Sequence, residues 1–158
     1  MTNRALIQDL KRTLSSGTDA QRLVMLARLT DLFLADADRF TLEQIKLFDE
    51  LLTNFVAAVD TEARAKLAVR LASISNAPAG VIRTLAFDNQ IDVARPVLRL
   101  SSALADYDLV ANANTKSQQH LLAISERRTL SEAVTDVLVT RGDSEVAHSV
   151  ASNANARF

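Results

Sequence analysis

The sequence predicts an all-α fold: an α-solenoid of stacked short helix pairs, with longer helices at its N-terminal end. The first observation is a stagger of 26 residues. Leu71-Ala72-Ser73-Ile74-Ser75, Val97-Leu98-Arg99-Leu100-Ser101, Ala123-Ile124-Ser125-Glu126-Arg127 and Ser149-Val150-Ala151-Ser152-Asn153 follow one another at that spacing. Leu98, Ile124 and Val150 fall in register, Ala72 lies one step earlier, and Leu104 is echoed by Leu130. A fixed period of this length marks units that cannot bury an apolar face alone and must stack on neighbours. The second observation is composition: 48% hydrophobic but only 4% aromatic, with three Gly and two Pro in 158 residues. A sheet protein of this size needs more turn residues than that. The third is a set of helix-start signatures. Thr18/Gln21, Thr41/Gln44 and Thr129/Glu132 each fit the capping box, in which two side chains satisfy orphan N–H groups at a helix start.

The elements follow in order. A first amphipathic helix is expected over 3–15, broken at Ser16-Gly17. A second, over 19–36, carries Leu23, Leu26, Ala27, Phe33 and Leu34 on one stripe and Met25, Leu29 and Leu32 beside it. Apolar on more than one face, it is expected to lie buried between neighbours. The third, over 42–59, has a clean stripe in Ile45, Phe48, Leu51, Leu52, Phe55, Val56 and Val59. The fourth spans about 62–73, capped by Asp60 or Thr61. Beyond Asn76 the helices shorten, to 78–87, 91–100, 106–113, 117–127, 130–140 and 144–152. Pro78 suits a first turn, where its missing N–H costs nothing. Pro96 requires that its helix start near Asp92 or kink, because its ring opposes the Asp92 carbonyl. Asp106 and Asp143 read as N-caps, and Gly142 as a left-handed helix stop. Loops are short throughout, so 1–158 reads as one repeat domain, with long helices over 1–75 and short repeats over 76–158. The last residues break off inside a further repeat without a polar outer face. The expectation is a fragment, the N-terminal part of a longer protein, or an end that a partner or a second copy covers.

Charge and composition narrow the function. The net charge is −1, with ten basic and ten acidic residues up to Ser75 and eight and nine from Asn76 on. Neither half is polarised, which counts against nucleic acid as the main partner. The absence of Cys removes thiolate chemistry and disulfides. Met1-Thr2-Asn3-Arg4 leads into an amphipathic segment, not a signal peptide, and no uncharged run is long enough for a bilayer. A cytoplasmic protein, away from membranes, is the expectation.

Three stretches carry a resemblance. They are Leu34-Ala35-Asp36-Ala37-Asp38-Arg39-Phe40-Thr41, the run Asn76-Ala77-Pro78-Ala79-Gly80-Val81-Ile82-Arg83-Thr84-Leu85-Ala86, and residues 130–143 from Leu130-Ser131-Glu132 to Arg141-Gly142-Asp143. Together they resemble an uncharacterised bacterial family, a domain of unknown function related to HEAT-like and leucine-rich-variant helical repeats. The resemblance implies stacked helices in a cytoplasmic bacterial protein. It carries no catalytic or ligand residues to transfer.

No constellation suggests chemistry. His120 and His148, 28 residues apart, read as helix-surface histidines at equivalent positions rather than as a zinc site, since neither a thiolate nor a His-x-x-x-His pairing accompanies them. Gly17, Gly80 and Gly142 are isolated, so no phosphate loop or nucleophile elbow is present. Asp36/Asp38, Asp49/Glu50 and Asp106/Asp108 sit at helix ends or on solvated faces, without the apolar pocket an acid–base pair needs. Asn112, Asn114, Asn153 and Asn155 read as amides that satisfy loop backbone. Arg141-Gly142-Asp143 reads as a helix junction. The candidates for partner binding are Arg95 and Arg99, four apart on one helix, joined by Arg83, Tyr107, Lys116 and His120 from flanking units. The leading expectation is a non-enzymatic scaffold that offers a concave surface to a protein or peptide, with no cofactor or metal. A nucleic-acid-binding repeat with a local Arg-rich groove is the alternative.

Overall fold

The computed structural model describes residues 3–158, so Met1 and Thr2, which open the stretch read as lacking a signal peptide, lie outside it. The fold is all-α. Ten α-helices follow one another among the described residues: α1 (Asn3–Ser16), α2 (Asp19–Ala35), α3 (Leu42–Ala58), α4 (Thr61–Ala72), α5 (Ala79–Ala86), α6 (Ile91–Leu100), α7 (Asp106–Thr115), α8 (Gln118–Ser125), α9 (Glu132–Arg141) and α10 (Ser144–Ser152). A 3-10 turn at Ala37–Arg39, which the sequence does not announce, joins α2 to α3. None of the helices is long and apolar enough to cross a membrane.

Capping chemistry sets most boundaries. Thr18 and Thr41 each accept from the backbone N–H three residues on, while Gln21 and Gln44 reach back, completing both capping boxes. Asp60 caps α4 through the Ala63 N–H, and Asp143 caps α10 through the Val146 N–H. The third expected box does not form. Ser131 is the N-cap of α9, accepting from the Val134 N–H, because Leu130 is held in an isolated parallel bridge with the C-terminal segment. There its N–H donates to Asn155 and its carbonyl accepts from Arg157. Pro78 stands one place outside α5 as its N-cap, and α6 starts at Ile91, so Pro96 has Asp92 in the first turn behind it.

Two aspartates and a glycine depart from expectation. Asp106 is the first residue of α7 and not its cap, because the Asp108 carboxylate reaches back to the Ala105 N–H at 3.3 Å. Asp49 is not a solvated charge. Its carboxylate accepts from Gly80 N–H at 3.1 Å and Val81 N–H at 2.7 Å, capping α5 from α3. Gly80 permits this approach, since a Cβ there would lie 2.5 Å from an Asp49 carboxylate oxygen. Gly142 is not left-handed; its φ is −69°. It is needed for space: a Cβ would sit 2.4 Å from the Leu138 carbonyl and 2.5 Å from Val146 Cγ1.

The helices alternate between two sets of neighbours. α4 packs on α6, α6 on α8 and α8 on α10, while α3 packs on α5 and α7 on α9. Consecutive helices α5 and α6, α7 and α8, and α9 and α10 pair with each other. The 26-residue spacing survives as burial. Ala72, Leu98, Ile124 and Val150 are all buried, as are Ala68, Ala94, His120 and Val146. In the other set Ile82, Asp108 and Val134 share a register, and Ala86, Asn112 and Leu138 another; all six are buried. The N-terminal part departs from this spacing and holds the aromatic cluster, with Phe33 5.2 Å from Phe48 and Phe40 4.8 Å from Phe48 between ring centroids. α2 is not buried on all sides. Met25, Leu26, Leu29 and Phe33 enter the core, whereas Leu23, Val24 and Leu32 stay exposed.

Candidate binding surface

The register explains where polar chemistry concentrates. At three core positions the unit α7–α8 carries Asp108, Asn112 and His120, where its neighbours carry Ile82 and Val134, Ala86 and Leu138, and Ala94 and Val146. Buried polar groups need partners. Each of these has a contact one unit back, although Asp108 Oδ1 and Asn112 Oδ1 are buried without a hydrogen bond.

Asn112 donates through Nδ2 to the Ala86 carbonyl at 2.8 Å, satisfying one of the acceptors that the end of α5 leaves open. Asp108 lies 3.3 Å from Arg83 Nε as an ion pair that is not aligned as a hydrogen bond. The Arg83 guanidinium also sits 5.9 Å above the Phe87 ring. His120 Nε2 meets the Asp88 carbonyl at 2.8 Å, and its Nδ1 meets Ser117 Oγ at 2.7 Å. A carbonyl only accepts, so Nε2 carries the proton and Nδ1 accepts from the serine hydroxyl. Burial holds the His120 pKa below its ordinary 6.5, the Asp88 carbonyl opposes that, nearby Lys116 adds to the lowering and the Asp88 charge opposes it. Asp88 is itself a hub: its carboxylate accepts from Arg64 Nε at 2.7 Å and from the Gln90 N–H at 2.9 Å. Beside it Lys116 Nζ donates to Asn89 Oδ1 at 2.7 Å.

The same device recurs along the chain. Arg127 donates to the Leu98 and Ser101 carbonyls at 2.6 and 2.7 Å, satisfying the end of α6. Burial pushes its pKa down, with the Asp106 charge opposing. Arg141 donates to the Ala113 carbonyl near the end of α7. Asn153 donates to Ser125 and Arg127 at the end of α8, and Asn155 to Arg128. Orphan carbonyls at a helix end are thus met by Asn or Arg side chains from one unit further on.

The candidate residues therefore divide. Arg83, Lys116 and His120 join α7–α8 to the α5–α6 unit, and Arg99 lies 3.7 Å from Glu126 at the end of α8. Arg95 is half-exposed and, among the described residues, ion-pairs with Asp92 on its own helix at 3.5 Å, and Tyr107 is 72% exposed on α7. His120, at 1% exposure, is not a surface histidine; it occupies the buried register of Ala94 and Val146. His148 is exposed. Asn112, Asn153 and Asn155 donate to backbone a full unit away, while Asn153 Oδ1 also accepts from the Asn155 N–H of its own loop at 2.9 Å, as expected. Arg127, Asn112 and Asp108 were missed as joint residues. The signal was available: subtracting or adding 26 places both Asp108 and Asn112 on apolar core residues.

Residues 93–158 match the model of a family described as an uncharacterised protein conserved in bacteria (DUF2336). The match begins inside α6 and takes in α7 to α10, so of the three stretches that carry the resemblance it contains only 130–143. No curated protein and no solved structure matches the chain.

Proposed function

We propose that the chain is a single HEAT-like repeat domain, an α-solenoid, and that it is a non-enzymatic scaffold presenting a concave helical-repeat surface to a protein or peptide. The observation that carries this reading is the unit-to-unit cross-linking. Asn112, Arg127, Arg141 and Asn153 each secure a helix end of the preceding unit. Joints of this kind fix the spacing of outward side chains, and preorganised spacing lowers the ordering cost of binding. Tyr107, Arg95 and Leu100 are among the outward groups on α6 and α7, and Tyr and Arg are types enriched at interface anchors. Against the nucleic-acid alternative, Arg83 and Arg99 already face carboxylates of neighbouring helices, which reduces the positive charge left for phosphates.

The test is affinity capture from bacterial lysate with wild type and with Tyr107→Ala/Arg95→Ala, both positions being free of the joint. A protein retained by wild type and lost by the variant, at unchanged melting temperature, supports the reading. Equal retention by both, or capture of nothing, rejects this face. Tight binding of duplex DNA at low salt replaces the reading with the nucleic-acid one.

A further inference from the structure

We propose that the cleft between α2 and α4 docks an amphipathic helix of a partner protein, running antiparallel to α4, acidic in its first turn and basic in its last. This rests on the interaction role above and adds the surface and the kind of ligand.

Helix α2 carries more apolar residues than its core face has places for. Leu23 and Ala27, four apart on one face, remain exposed, Leu23 at 41%. Where α4, α6, α8 and α10 close on one another, α2 stands off from α4. Between them lies a cleft of about 390 Å³ with Leu23 and Ala27 on one wall and Ala63 and Leu67 on the other. That volume is in the range of ligand sites, and an apolar trough flanked by two helices is the geometry in which an amphipathic helix seats its stripe.

The rim charges choose the direction. Asp60 and Glu62 stand at the N-terminal end of α4, and Lys66 and Arg70 follow one and two turns later. An incoming helix favours acidic residues at its own start and basic ones at its end, because these complement the macrodipole. Laid antiparallel to α4, it sets its basic last turn against Asp60 and Glu62 and its acidic first turn against Lys66 and Arg70. Laid parallel, it meets like charge at both ends. The pairing between Glu62 and Lys66, 3.3 Å apart and about three-quarters exposed on both sides, is worth little and yields readily to new partners. Arg70 also pairs with Asp31 of α2, which ties the two walls together at the basic end and partly offsets its charge, so Lys66 is the main cation there.

Two designed peptides test this, both Leu-striped helices of identical composition. One has Glu in its first turn and Lys in its last; the other has the ends exchanged. Titrated into the full isotope-labelled chain, the first peptide is expected to bind about fivefold tighter, the scale of a few exposed ion pairs. Shifts should concentrate on α2 and α4. Glu62→Lys/Lys66→Glu should remove the preference, because Asp60 and Arg70 then leave one charge of each sign at either end. Ala27→Trp, at an exposed position that leaves the core untouched, should fill the trough and remove binding of both. Equal affinity for the two peptides, no binding of either, or binding that survives Ala27→Trp overturns the proposal. A captured partner that tolerates Ala27→Trp but is lost with Tyr107→Ala/Arg95→Ala would leave the scaffold role standing and sink the cleft alone.

Discussion

His120 shows how packed helices can hide a titratable side chain. Its ring is held between the Asp88 carbonyl and the Ser117 hydroxyl, out of water, and burial makes the folded chain bind its proton less readily than the unfolded chain does. The sign follows. Above pH 6.5 the ring is neutral in both states. As pH falls below that value the unfolded chain takes up a proton that the folded chain resists, so stability declines until the folded pKa is passed and then levels off. Thermal melts across this range should show His120→Val, which places the Val146 residue type at this register, with a flatter pH dependence than wild type. Equal slopes would contradict the assignment. His120 was legible in the sequence only through the period: comparison with His148, 28 residues on, suggests two surface histidines, whereas a step of 26 lands on Ala94 and Val146. Asp49 was not legible at all. It caps a helix 31 residues away, and only the approach of α3 to α5 reveals that Gly80 is small to admit it.

Among the elements, helix existence and order were readable because caps and apolar stripes are local. Thr18, Thr41, Asp60 and Asp143 cap where their spacing to the following apolar run says they should. The failures came where a distant segment intervened. At Thr129 the local box is intact in sequence, yet the bridge between Leu130 and Ala156 moves the start of α9 to Glu132, with Ser131 as the cap. Ser131→Ala should therefore cost about 0.5–2 kcal/mol, and Thr129→Ala much less. Denaturant titration of both variants checks this, and a larger loss at Thr129 would restore the local reading. α2 was overestimated for the same reason: an apolar helix is expected to be covered, but coverage depends on a neighbour, and α4 leaves part of it open.

At the scale of the molecule, the C-terminal helix pairs are joined to the pairs beside them. Ala72, Leu98, Ile124 and Val150 repeat one buried environment, and Asn112, Arg127, Arg141 and Asn153 repeat one way of closing the previous helix end. The 26-residue register was visible in the apolar residues. The polar joints were not, because Asn and Arg in a single sequence look the same whether they face water or a carbonyl a full unit away. Native-state hydrogen exchange of Ile124→Ala tests the nearest-neighbour claim most directly. The truncation removes a fully buried side chain at a cost of about 2–5 kcal/mol. In the proposed stack, coupling runs between adjacent units, so protection should fall most in α6, α8 and α10 and least in α1 and α2. An equal loss of protection in every helix would contradict the account and mark one indivisible core.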